Sequence, residues 1–251
     1  MGDASGRETE NAGADLRGAG VTRRLTLPLL ERRPGLAHAF TVAGSEEEAV
    51  LTAAAGRALP LWTLRQVHGR VVRSIDTAGH APWADPRPDG DALVSAGRGR
   101  AIGVHVADCV PIVLCDPVHG VIGAAHAGWR GTVAGVLGAT LAAMAAAGAR
   151  PEDVYVGMGP AIGVCCFEVG PEVVAAFRHA DPDADSSIRT GPRARIDLLD
   201  ANRRQAIAAG VREERIAAAN LCTACRSDLL ISYRRGGRSA GRMTGLIAWR
   251  E

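Results

Sequence analysis

Apolar positions along this chain come in short runs rather than long helical stripes. Runs rich in Val, Ile and Leu, bounded by Gly, Pro or Asp, predict strands at Arg24–Leu30, Leu61–Val67, Val71–Ile75, Ala92–Ser95, Ala101–Val106, Pro111–Cys115, Val121–His126, Val154–Met158, Ala217–Cys222, Leu229–Tyr233 and Met243–Trp249. Helical patterning predicts helices over Thr132–Ala147, Pro171–His179 and Leu198–Ala209. The second opens on Gly170-Pro171, and the third follows Asp197 as N-cap and stops at Gly210. Strands outnumber helices and tight turns join many of them. The pattern therefore predicts an α+β fold with mixed β-sheet pairing rather than a regular βαβ repeat. No repeat or linker divides residues 21–251, which are read as one domain. Residues 1–20, rich in Gly, Ala and acidic side chains, predict a disordered lead.

One stretch concentrates the chemistry. Residues 105–131 read HVADCVPIVLCDPVHGVIGAAHAGWRG, with His105, Asp108, Cys109, Cys115, Asp116, His119 and His126 threaded through apolar runs. Asp116-Pro117-Val118-His119-Gly120 has the composition of a turn, so the flanking runs form an antiparallel hairpin. A turn centred on Val118 sets His126 opposite Val110, and a one-residue change of register sets it opposite Cys109. Opposed residues lie ~4.5–5.5 Å apart at Cβ. Cys109 and His126 thus meet at the open end, while Cys115 and His119 stay at the turn, roughly 20 Å away at ~3.3 Å per residue. The Cys109–His126 pair has three readings: a thiolate–imidazole nucleophile, an incomplete metal site, or a chance pair. Asp108 and the Gly128-Trp129-Arg130-Gly131 run beside it weigh against chance. His68, in QVHG at the end of another strand, would complete a His-Cys-His set with an open position, the arrangement of a catalytic zinc; spacing alone does not place it there.

Composition then narrows the function classes. The chain of 251 residues contains no lysine, so its 29 basic residues are all arginine. Lysine Schiff-base chemistry, Walker-A ATPases and ordinary protein kinases are excluded. A net charge of +2 argues against a dedicated nucleic-acid surface. The alanine-rich run at 134–149 lacks the ~20 strongly apolar residues of a membrane span. The first residues carry no signal-peptide pattern, so a cytoplasmic protein with reduced cysteines is expected. Cys165-Cys166 and Cys222-Thr-Ala-Cys225 read as structural thiols. Gly237-Arg-Ser239-Ala-Gly241 matches a G-x-S-x-G string but not at a strand–helix elbow. Arg234 and Arg235 form a pair that could hold an anion, or simply a solvated basic strand end.

QVHG at 66–69, ADCVPIVLCD at 107–116, HAGWRG at 126–131, GPAIGVCCFEVG at 159–170 and CT…SYRRGG over 222–237 occur in that order. Together they resemble the bacterial polyphenol oxidase or laccase-domain family, whose members are recognised as purine nucleoside phosphorylases with adenosine deaminase and methylthioadenosine phosphorylase activities. The resemblance covers about residues 60–250. It implies a single α+β domain with mixed sheets flanked by helices, and Zn2+ held by His68, Cys109 and His126. It also implies a small-molecule nucleoside, with phosphate as co-substrate, as the partner, rather than nucleic acid or membrane. Within that reading Asp108 is the candidate acid–base residue, Arg130 a catalytic anion holder, and Trp129, Arg234 and Arg235 the candidate substrate and anion contacts. The sequence departs from the family at Phe40-Thr41-Val42-Ala43-Gly44, where Val42 replaces an arginine and Glu46-Glu47-Glu48 follows. A valine cannot bind phosphate and carboxylates repel it, which argues against phosphorolysis while leaving zinc binding intact. Three other readings stand beside it: a Cys109–His126 hydrolase acting on an amide or peptidoglycan precursor, a copper-dependent phenol oxidase, and a nucleoside-binding module without catalysis. Copper ranks below zinc because no methionine lies near these motifs.

Overall fold

The structure, a computed structural model, describes residues 13–75 and 81–250. In chain order the strands are β1 (Asp15–Arg17), β2 (Arg24–Thr26), β3 (Leu36–Thr41), β4 (Leu61–Trp62), β5 (Val72–Ile75), β6 (Ala92–Ser95), β7 (Ala101–Val106), β8 (Val110–Asp116), β9 (Val121–Ala127), β10 (Tyr155–Met158), β11 (Glu168–Val169), β12 (Ile188–Arg189), β13 (Ala194–Ile196), β14 (Ile216–Ala218) and β15 (Met243–Trp249). The α-helices are α1 (Pro28–Glu31), α2 (Glu47–Ala55), α3 (Trp129–Ala134), α4 (Val136–Ala146), α5 (Pro171–Ala180), α6 (Leu198–Ala208) and α7 (Tyr233–Gly236). Two six-stranded mixed sheets, ordered β1-β2-β3-β15-β7-β4 and β14-β10-β8-β9-β6-β5, carry the fold, with a small sheet β11-β13-β12 beside them. The single α+β domain expected from the sequence is what forms.

The large sheets pack face to face. Phe40, Ile102, Val104 and Ile247 of the first meet Val113, Ile122 and Ala124 of the second in one buried cluster. The outer face of the second sheet is covered by Leu137, Leu141 and Met144 of α4, Phe177 of α5 and Ala201 of α6. Val50, Leu51 and Ala54 of α2 cover the outer face of the first. The result is four layers, α-β-β-α. Successive side chains of a strand point to opposite faces, so β8 sends Ile112 and Leu114 to the helices and Val113 and Cys115 to the facing sheet. With both faces buried, β8 and β9 become continuous apolar runs, as their sequence shows.

Several expected elements change. The strand expected over Arg24–Leu30 ends at Thr26 because Pro28 opens α1. The helix expected over Thr132–Ala147 is two, α3 and α4, separated by Gly135 at φ +79°, a left-handed conformation that side chains resist. Leu229–Tyr233 is not a strand; Ser232 instead caps α7 by accepting from the Arg235 N–H. β3 and α2 were not anticipated. The disordered lead expected over 1–20 is corrected within the described residues: Asp15–Arg17 pairs antiparallel with β2, and Arg17 bonds Asp15 and Glu31. The rest of that expectation, over 1–12, lies outside the described residues. No described helix is long and apolar enough to cross a membrane.

His38 on β3 ties this scaffold to pH. Its Nε2 accepts the Leu27 N–H at 2.8 Å inside the first sheet. Burial draws its pKa from 6.5 down to about 4, so the folded chain keeps it neutral. Below pH 6.5 the unfolded chain binds the proton first, so stability falls as pH drops from 6.5 and levels off below about 4. The loss attributable to His38 is about 3 kcal/mol. His38→Gln, whose amide oxygen can still accept from Leu27, should flatten this segment of the profile, measured by urea unfolding between pH 7 and 4. An unchanged slope in the variant would remove His38 as the cause.

Candidate metal centre

The hairpin forms, with a register one residue from expectation. Asp116 pairs with Val121, Pro111 with His126 and Val110 with Ala127. The connection is thus four residues, 117–120, closed by the Asp116 carboxylate accepting the Val118 and His119 N–H groups. Cys109 lies just beyond the last pair and reaches His126 diagonally. Asp108, at φ +85°, turns the chain there. The predicted division of the stretch holds. Asp116 is buried and also accepts from His119 Nδ1 and Arg150 N, and burial pushes the Cys115 thiol up to about 12.

His68, Cys109 and His126 converge, with one ligand atom of each within 4.8 Å of the others. The rings of His68 and His126 stand edge to face, centroids 4.8 Å apart. Gly128 is required beside them: a Cβ there would lie 2.8 Å from Cys109 Sγ and 3.3 Å from His68 Cδ2. The three sit in a gradient, His126 buried, Cys109 half-buried and His68 exposed, so the set opens toward solvent at His68.

The organiser is Asp91, which the sequence reading missed. It is fully buried at the start of β6. Its carboxylate accepts from His126 Nδ1 at 2.9 Å, from His68 N at 2.8 Å, from Gly69 N at 2.7 Å and from Val67 N at 3.3 Å. Burial raises its pKa, but these bonds outweigh burial and hold it below the usual carboxylate range. With Nδ1 committed to the Asp91 carboxylate, His126 presents Nε2 to the site, the pairing that orients metal-binding histidines. Burial pushes the Cys109 thiol up, yet hydrogen bonds from His126 and His68 draw it down to about 6. Burial lowers His126, while Asp91 and Cys109 raise it to about 9. Both shifts favour the thiolate of Cys109, the form that binds metal or acts as nucleophile. Two histidines, a thiolate and an open side fit a catalytic zinc, whose ligand atoms at 2.0–2.3 Å from the ion stand within about 4 Å of each other.

The set lines a cavity of about 670 Å³ with Leu64, Ile162, Phe167 and Tyr233 as apolar wall and Arg234, Arg238 and Arg242 as cationic wall. A larger cleft of about 980 Å³ lies alongside, sharing Arg234. Asp108 is on the first cavity's wall; its carboxylate accepts from the Thr223 hydroxyl and the Arg234 N–H, and its carbonyl from Ile162 N. Arg130, Trp129 and Arg235 do not line it. Arg130 stacks on Trp129, with Cζ 4.2 Å from the ring centroid. The Arg235 guanidinium is engaged by the carbonyls of Thr223, Ala224 and Leu230. Helical geometry separates Arg234 from Arg235, since neighbours on a helix do not share a face. Arg238 and Arg242, which the sequence reading passed over, take the cationic place instead. Ser239 is no nucleophile elbow: its hydroxyl donates to Gly236 O in a short 3-10 turn.

The family described as "Multi-copper polyphenol oxidoreductase laccase" matches residues 42–250. The chain belongs to this family. It is 40% identical over 190 residues to adenosine deaminase RL5 from an unknown prokaryotic organism, covering 72% of each chain. It is 38% identical over 194 residues to purine nucleoside phosphorylase YlmD of Geobacillus stearothermophilus, covering 74% of this chain and 71% of that one. The crystal structure of YlmD superposes with a TM-score of 0.83 at 29% identity, covering 95% of this chain and 99% of YlmD. That of the hypothetical protein YfiH from Bacillus licheniformis gives 0.84 at 25% identity, covering 94% and 99%.

Asp91→Asn should weaken metal retention roughly 10–100-fold, because the amide no longer fixes the His126 tautomer and the 67–69 loop together. Chelator competition measures it. Retention equal to that of the unaltered chain would show that Asp91 does not orient the ligands.

Proposed function

We propose that the chain is a zinc-dependent enzyme acting on purine nucleosides, with phosphorolysis of adenosine, inosine and methylthioadenosine as its main reaction and adenosine deamination as a second. The observation that carries this reading is one cavity joining the His68–Cys109–His126 set, an apolar wall and three arginines. Both activities appear among the names of relatives around 40% identical. Zinc is preferred to copper because no methionine among the described residues lines the cavity to serve as an axial ligand.

When bound, the metal supplies a Lewis acid at its open side. The chain's own residues do the rest. Phe167, Tyr233, Ile162 and Leu64 offer the flat apolar surface a purine needs. Arg234, Arg238 and Arg242 hold the phosphate, whose oxygen bonds to the ribose C1′ as the bond from C1′ to the base breaks. They supply the positive charge that Val42 cannot; Val42 is buried. Asp108, on the same wall, exchanges the proton that the leaving base or the deaminated ring requires. Glu47 is drawn off by His105 Nε2 and Thr244, and Glu46 and Glu48 are exposed, so the acidic run does not fill the cavity with negative charge.

The test incubates zinc-loaded protein with adenosine, inosine and methylthioadenosine, with and without phosphate, and follows free base, ribose 1-phosphate and inosine. Phosphate-dependent release of base is expected. Arg238→Ala with Arg242→Ala should raise the KM for phosphate at least tenfold while phosphate-free deamination persists. Cys109→Ala should abolish both. No turnover after zinc loading rejects the reading. Activity that survives chelation and is lost on alkylation of Cys109 would favour the thiolate hydrolase instead.

A further inference from the structure

Behind the wall of this cavity the fold gathers four cysteines that sequence spacing left as separate structural thiols. Cys165 and Cys166 sit in the turn before β11, and Cys222 and Cys225 in the loop after β14. One sulfur from each lies within 4.8 Å of all the others. The Cys166–Cys225 separation is 3.4 Å and the Cys165–Cys225 separation 3.7 Å. We propose that these four residues form a second metal centre, a structural zinc site in which all four ligands are thiolates.

The distances select this chemistry. A disulfide brings two sulfurs to ~2.05 Å, whereas four sulfurs bound ~2.3 Å from one tetrahedral ion stand ~3.8 Å apart. The observed separations belong to the second case, and all four cysteines are free. A polynuclear iron–sulfur cluster fits worse, because its inorganic core stands between the cysteines and spreads them. An all-sulfur tetrahedral set is the donor choice of structural zinc. Binding exchanges four thiol protons for one Zn2+ and leaves a net charge of −2 on the centre. The surroundings suit that charge. The Gly163 N–H donates to Cys222 Sγ at 3.2 Å. The Arg234 guanidinium bonds the carbonyls of Cys166 and Glu168, and that of Arg235 bonds those of Thr223 and Ala224, so one positive charge sits against each cysteine loop.

The two loops are already sewn together by Ala161 N donating to Leu221 O and Thr223 N donating to Ala161 O. They also build one wall of the first cavity. Thr223, inside the Cys222–Cys225 knuckle, donates to Asp108; Ile162 and Phe167 flank the other cysteine pair and line the cavity. A metal crosslink here would hold that wall in register without touching substrate.

The test measures metal by mass spectrometry in the full-length chain, in Cys222→Ser/Cys225→Ser and in His68→Ala/His126→Ala. Two equivalents of zinc are expected in the unaltered chain and one in each double variant. The cysteine variant should also show a several-fold higher KM for nucleoside. In the unaltered chain, alkylation mapping should find Cys165, Cys166, Cys222 and Cys225 protected as a set and released together by a strong chelator. Cobalt(II) should give thiolate charge-transfer bands that persist in the histidine variant. That arm and the mapping decide the matter if the cysteine variant does not fold. Two equivalents retained without Cys222 and Cys225, no metal in the histidine variant, iron in place of zinc at the four sulfurs, or disulfides among them in freshly purified protein would each overturn the proposal.

Discussion

The candidate centre depends on one buried carboxylate. Asp91 has no exposed surface, and an uncompensated charge there would cost several kcal/mol. It is compensated by four donors that the fold must deliver to one point: three successive N–H groups at Val67, His68 and Gly69, and Nδ1 of His126. Successive N–H groups converge on one acceptor only if the chain curls into a nest, which accounts for His68 at φ +61°. The backbone adds a fifth tie, His126 N donating to Asp91 O at 2.8 Å. Two of the three candidate ligands are therefore fixed by the same residue, one through its backbone and one through its ring.

The third ligand is fixed from the opposite side. Asp108 reverses the chain just before β8 and is held at three points, by Thr223, Arg234 N and Ile162 N. The Ile162 and Thr223 contacts come from the segments that follow the paired strands β10 and β14, and the Arg234 contact comes from the start of α7. The site thus forms where β7 ends, β8 begins and β9 ends, with the 66–69 loop on one side and the cysteine-bearing loops on the other. The four layers give rigidity, and the loops at this one end carry the chemistry.

How much of this was legible follows from what each residue's neighbours reveal. The β8–β9 hairpin could be read because both faces are buried and the turn carries Asp, Pro and Gly. Its register slipped by one because the connection is four residues rather than centred on Val118. Asp91, in Asp-Gly-Asp ahead of a strand, looks like any turn residue; only its complete burial marks it. Arg238 and Arg242 sit in a polar segment with no periodicity, and their meeting with Arg234 is set by α7 and the short turn after it. β3 was missed although wholly buried, because His38 interrupts an otherwise apolar run and becomes compatible with it only as the neutral acceptor of the Leu27 N–H.

Val42 means something different in the fold than in the sequence. Read as sequence, valine in place of arginine with three glutamates following removes an anion site. In the fold, Val42 lies in the core at the end of β3, while Glu46 and Glu48 face solvent at the start of α2. Glu47 turns inward, and there burial raises its pKa but His105 and Thr244 outweigh burial and keep it below the usual carboxylate range. Its charge is spent on a pair of hydrogen bonds that brace His105 on the cavity wall. Among the described lining residues, the local field is consequently set by Arg234, Arg238 and Arg242 against the carboxylate of Asp108. On the proposed reading, a phosphate would meet net positive charge in a partly desolvated cavity, where each arginine counts for more than it would in water.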